Sequence, residues 1–153
     1  MENFTHLISG MDPVADAFTG TVYSDVVSMR NHKTCEFIIF KGVGTTGTST
    51  VTVQACDNTT PDTRSAVAFR YQACTTKDTW GDMTECANTG FTLTAGSAQL
   101  YRIFVDASVL GEVGYEFVQL KLVESVDAAV LAGILIQLHE PRFEKEVPAT
   151  AIA

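Results

Sequence analysis

The sequence predicts an all-β domain, a single antiparallel β-sandwich of jelly-roll type with about eight strands. Three observations predict it. Residues 20–143 break into short segments rich in Val, Ile, Phe, Tyr and Thr, separated by glycine, proline and polar turns. Several of these segments alternate with period two, the mark of a strand with one face on a core. Helical periodicity is scarce. The chain has 153 residues, the size of one domain, and 46% of them are hydrophobic, enough for a core without staples.

The elements follow in order. Residues 1–19 read as an N-terminal arm in which Phe4, Leu7, Ile8 and Met11 fall at i, i+3, i+4 and i+7, the spacing of one helix face. Gly10 interrupts the stripe and Asp12-Pro13 ends it. So short a helix is marginal alone, so the stripe either packs back on its own sheet or docks on a neighbouring subunit. Eight strands fill the domain at 20–143, over roughly 20–29, 34–41, 48–56, 66–74, 90–94, 99–106, 115–124 and 129–139. Val51, Val53 and Ala55 share a face, as do Val67, Phe69, Tyr71 and Ala73. Val118, Leu120 and Leu122 oppose Gln119 and Lys121. In Leu100–Asp106 both faces carry bulk, and only Arg102 marks a wetter side. One capped turn of helix is expected at Asp106–Leu110, stopped by Gly111. Residues 144–153 read as an extended tail with little to fold around.

Charge and cysteines exclude several classes. Eighteen acidic against ten basic residues give a net charge of -8, which repels phosphate backbones and disfavours nucleic-acid binding. No apolar run approaches the ~20 residues of a membrane span, and Met1-Glu2-Asn3-Phe4 opens no signal peptide, which points to cytoplasmic synthesis. Charged residues are only 18% of the chain, so part of the surface is expected to be covered by an oligomer or a partner. Cys35, Cys56, Cys74 and Cys86 contain no C-x-x-C pair, and reduced, zinc-free thiols are expected. If 48–56 and 66–74 form a simple hairpin, Cys56 and Cys74 lie at opposite ends of it.

The motifs that suggest chemistry read more simply as structure. Gly42-Val43-Gly44-Thr45-Thr46-Gly47 has the letters of a dinucleotide fingerprint, but Thr48–Val53 continues as a strand and no helix opens to receive a phosphate. A hairpin turn is expected there. Asp57, Asn58 and Asp62 offer oxygen ligands without EF-hand spacing, so they read as a solvated turn. Trp80, the only tryptophan, lies in the acidic loop Asp78–Glu85, where it either anchors an interface or caps the sandwich core. His6, His32 and His139 sit apart without ligand spacing, and no Gly-x-Ser-x-Gly elbow is present.

Two stretches, CEFIIFKGVGTTGTSTVTVQACDN and LYRIFVDASVLGEVGYEFVQLKLVESVDAAVLAGILIQLHEPRF, resemble a family of small tailed-bacteriophage virion proteins encoded beside capsid genes. The shared features are a strand ending in an FKG-like turn, a short acid-capped turn, an aromatic-started strand and a closing Glu140-Pro141-Arg142-Phe143. Phe143 stands where tyrosine is expected. The resemblance implies a non-enzymatic head protein, a decoration or cement protein on the capsid exterior. Its partners would be the major capsid protein and further copies of itself, as dimer or trimer, with no cofactor and no metal. A tail or adsorption module binding another virion protein or a host glycan is the alternative. Phe4, Leu7, Ile8, Met11 and Trp80 are the candidate partner-binding residues, with the chain ends acting as adhesive elements outside the sandwich.

Overall fold

The computed structural model describes residues 5–143 and 148–152. Its strands are β1 (His6–Val14), β2 (Thr21–Tyr23), β3 (Val27–Ser28), β4 (His32–Gly44), β5 (Thr48–Cys56), β6 (Arg64–Val67), β7 (Phe69–Cys74), β8 (Thr84–Cys86), β9 (Phe91–Thr92), β10 (Gln99–Asp106), β11 (Phe117–Val126) and β12 (Val130–Pro141), with one helix, α1 (Ala107–Glu112), before β11. They form two sheets. Sheet I has the order β1-β12-β4-β10-β7-β8; sheet II has β2-β11-β5-β6, with β3 on β11 and β9 on β5. All pairings between these strands are antiparallel.

The pairs are nested. β1 pairs with β12, β2 with β11, β4 with β10 and β5 with β6, and successive pairs alternate between the two sheets. A long antiparallel ribbon rolled in this way is a jelly roll, so the all-β sandwich expected from the sequence is the fold observed. The inner faces follow the predicted parity. Val51, Val53, Ala55, Val118, Leu120 and Leu122 of sheet II are fully buried against Phe37, Ile39, Ile103, Ile134 and Ile136 of sheet I. Each such side chain contributes at most ~1.5–3 kcal/mol.

The stretch set apart as an arm differs most. From His6 to Val14 it is the edge strand of sheet I, with Ile8 opposite Ile136. The helix-like spacing has a local cause. The register slips between Ser9 and Met11, and this bulge at Gly10 brings Ile8 and Met11, three residues apart, to the same side. An added Cβ at Gly10 would lie 2.7 Å from the Ile136 side chain and would have to push it aside. The tail also returns to the body: Ser28 N donates to Ala151 O at 2.8 Å, and Ala151 and Ile152 pack on the core.

Other boundaries shift because the chain changes sheets. The expected strand 66–74 divides at Ala68, so that Val67 pairs with Val53 in sheet II while Phe69–Cys74 crosses to β10 in sheet I. Cys56 and Cys74 therefore belong to different sheets and no simple hairpin joins them. The glycine-rich turn likewise links β4 of sheet I to β5 of sheet II: it is a corner between sheets and not a hairpin. Its glycines serve close approach, since a Cβ on Gly47 would lie 2.2 Å from Ala128 O. The expected strand 20–29 splits into β2 and β3, and 90–94 shrinks to the two residues of β9. Helix α1 forms where expected but runs through Gly111, and Gly114 at φ +82° follows its end. Asp106 does not cap it through its side chain. That carboxylate accepts from Thr34 Oγ1 at 3.2 Å and pairs with Arg70 at 3.6 Å.

Candidate interaction face

The outer face of sheet I carries the candidate site. Strand registry sets its rows: Ser9, Leu135, Ile38, Arg102 and Gln72 align across five strands, with Gly133, Phe40 and Leu100 in the row on one side and Leu7, Gln137, Glu36 and Phe104 on the other. An antiparallel sheet with one wet face alternates apolar and polar residues. Here the strands are apolar at both parities, and the outward Phe40, Leu131 and Leu135 keep 58, 40 and 42% of their surface in water.

One half of this face is apolar. Met11, Pro13, Phe40, Leu131 and Leu135 wall a furrow of about 260 Å3, and Gly133 lies on its floor. The glycine lets β1 come close, since a Cβ at Gly133 would stand 3.2 Å from Pro13.

The other half is aromatic and ionic. Glu36 points outward from β4 yet is only 1% exposed, because Arg102 and His139 on the flanking strands close over it. Arg102 Nε donates to Oε1, and His139 Nε2 stands 2.7 Å from Oε2. A buried carboxylate needs such partners to offset the loss of water. The Arg102 guanidinium lies 4.9 Å from the Phe104 ring centroid and 5.6 Å from that of Trp80. The Trp80 loop is held over the sheet by Gly81 N donating to Ala73 O at 2.9 Å and Gln72 Nε2 donating to Gly81 O at 3.2 Å.

Of the residues singled out in the sequence, Leu7 and Trp80 lie on this face, 59 and 36% exposed. Met11 lines the furrow while also packing on the core. Ile8 is buried in the core and presents nothing to a partner. Phe4 lies outside the described residues. Of the two readings of Trp80, the core cap does not hold, because the ring lies on the outer face of sheet I beside Arg102. Phe40, Leu131 and Leu135 were not singled out, and Arg102 only as the mark of the wetter side of its strand. Their signal was the bulk on both faces of β10, which the runs FIIF and LAGIL repeat.

Other polar clusters serve the fold. Lys41 points inward and is fully buried, its Nζ donating to Thr94 O at 2.7 Å and Gln99 Oε1 at 3.2 Å. Tyr101 OH donates to the same Gln99 oxygen and accepts from Thr94 N, so the network pins loop 94–98 across the sandwich end. Burial lowers the Lys41 pKa. Burial also raises the thiol pKa of Cys35 and Cys86 and pushes Cys56 up to about 11, which leaves little thiolate for nucleophilic chemistry. Asp57 and Asn58 accept hydrogen bonds from Thr63 N and Thr60 N of their own turn. His6 and His32 lie with ring centroids 6.2 Å apart at one end of sheet I.

No known protein family matches the chain, and no curated protein does. Among solved structures, SPBc2 prophage-derived protein YomS is similar at 12% identity and a TM-score of 0.48, over 89% of this chain and 96% of that one. A structure of infectious bursal disease virus Gx strain is similar at 11% identity and a TM-score of 0.23, over 90% of this chain and 41% of that one. The jelly-roll assignment rests on the strand pairing itself.

Proposed function

We propose that the chain is a non-enzymatic structural protein of a tailed-phage virion, which binds the outer capsid shell through the major capsid protein and stabilises it. The observation that carries this reading is the open outer face of sheet I, where Arg102, Phe104 and Leu7 stand on the strands and Trp80 is held over them by its loop. Tryptophan and arginine dominate the energetics of protein interfaces, and here Glu36, itself bonded to His139, holds the guanidinium in place. The sequence resemblance supports the same reading. Symmetric copies on a shell multiply weak contacts into tight attachment.

The test is to add labelled protein to purified heads that lack it and to image them. Regular positions on the outer shell, and several-fold weaker attachment of Trp80→Ala, are expected; labelling of the tail or of no site on the particle would overturn the reading. One observation favours a second reading, an adsorption module for a polar ligand such as a host glycan. A cleft of about 340 Å3 beside the same cluster is lined by Thr34, Arg70, Arg102, Phe104 and His139. Glycan binding with unlabelled heads would select it.

A further inference from the structure

The apolar half of sheet I's outer face carries a knob and a hole side by side. The knob is Phe40, 58% exposed in the middle of the sheet. The hole is the 260 Å3 furrow over Gly133, large enough for an aromatic ring, and Phe40 stands on its rim. Two copies facing each other across a two-fold axis near Phe40 would place each ring in the other's furrow. An isologous contact has this self-complementarity, in which one patch meets itself and each residue contact occurs twice.

Charge bears on the strength of this arrangement. The chain carries -8 overall, which opposes association of like copies. None of the residues lining the furrow is charged. The nearest carboxylate is Asp12, exposed in β1 between Met11 and Pro13, which accepts from Ser9 Oγ at 2.9 Å and has no cationic partner among the described residues, whereas Glu36 is paired with Arg102. A second copy therefore meets one carboxylate at the edge of the furrow, whose repulsion added salt screens, so the pair should tighten as salt is raised.

Area bears on it as well. Phe40, Leu131 and Leu135 are 40 to 58% exposed. Together with Pro13 and the half-buried Ile38, Leu100 and Met11, they leave on the order of 450–500 Å2 open per copy, so a face-to-face pair buries roughly 900–1,000 Å2, the size of a weak, concentration-dependent interface.

We propose that the occupant of this apolar half is a second copy of this chain, packed sheet I to sheet I with the partner's Phe40 in the furrow. This rests on reading the face as an interaction surface, and it leaves the Trp80 half at the margin of the pair for the shell.

Sedimentation and light scattering between about 1 and 100 μM, the range suited to an interface of this size, read the result. The wild type should reach twice its 16.5 kDa mass, and Phe40→Lys and Leu135→Lys should each stay monomeric with unchanged circular dichroism. Both sites are exposed, so neither substitution strains the core. A wild type that stays monomeric overturns the proposal, and so does a dimer that both variants preserve. Binding of the same proteins to heads separates the two readings. A monomeric wild type that decorates heads, and loses this on Phe40→Lys, assigns the furrow to the shell protein and keeps the virion role. A dimer that never binds heads keeps the furrow contact and removes the virion role.

Discussion

The outer faces of the two sheets, one on each side of the same core, differ in kind. Sheet II turns Thr50, Thr52 and Gln54 outward from β5, beside Gln119 and Lys121 from β11. These groups bond one another: Thr50 Oγ1 lies 3.1 Å from Thr92 Oγ1, and Gln119 Nε2 donates to Gln54 at 3.4 Å. Sheet I turns Ile38, Phe40, Leu100, Phe104, Leu131 and Leu135 outward, and among the described residues the buried ionic group on that outer face is Glu36. Sheet II obeys the alternation of a wet antiparallel face, and sheet I breaks it. The break points to cover by another molecule, because an apolar patch of several hundred Å2 is about the largest a free monomer exposes.

The comparison breaks most severely at β1, the edge of sheet I. Deleting residues 1–12 removes most of a strand hydrogen-bonded to β12, together with buried Ile8, and uncovers Ile134 and Ile136 beneath it. The losses in burial and in ladder hydrogen bonds together exceed what a domain of marginal stability tolerates. The truncated chain is expected to lose its cooperative melt in circular dichroism. A truncated chain that melts like the full one would show that β1 is an arm after all.

A smaller effect separates the ionic patches of the two faces. Arg102→Ala removes one of the two partners of a fully buried carboxylate, and breaking such a pair costs several kcal/mol. Because Arg102 is itself partly exposed and His139 remains, about 2–3 kcal/mol is expected. Lys121→Ala on the outer face of sheet II should stay within about 0.5 kcal/mol. Urea titration of the two variants reads the difference, and equal losses would remove the distinction drawn between the faces.

How much of this was legible in the sequence depends on whether local pattern and sheet agree. In β5, β10 and β11 the parity of Val51, Val53, Ile103, Leu120 and Leu122 directly names the buried face, because no bulge interrupts those stretches. In β1 the bulge at Gly10 adds a residue, and a strand acquires the three-residue spacing of a helix. The sheet changes at Ala68 and at Gly47 were hidden for another reason: a strand that leaves one sheet for the other keeps the same inward parity, as Val67 and Phe69 do. The face of Trp80 depends on the path of its loop, which a bond from Gly81 to Ala73 sets and no local pattern announces. The furrow needs β1, β4 and β12 side by side, so its residues could be noticed only as strands too apolar for one face.

The gentlest difference between the sheets is their response to acid. All three histidines lie on sheet I, His6 in β1, His32 in β4 and His139 in β12. Burial lowers the pKa of His6 below 6.5. Burial, then the charges of His6 and His139, lowers that of His32. Neither buried Nδ1 has a hydrogen-bond partner in the fold, so nothing there rewards a proton. The sign follows from proton counting. In the window just below 6.5 the unfolded chain binds more protons than the folded one, so stability is full above 6.5 and falls as pH drops through the lowered folded values. Carboxylates add their own loss at lower pH, so the informative quantity is a difference between proteins. His32→Leu should melt within a few degrees of wild type at pH 8 and lose less on going to pH 5, whereas Lys121→Ala in sheet II should follow the wild-type slope. If His32→Leu and wild type lose the same melting temperature between pH 8 and pH 5, the acid response does not come from this end of sheet I.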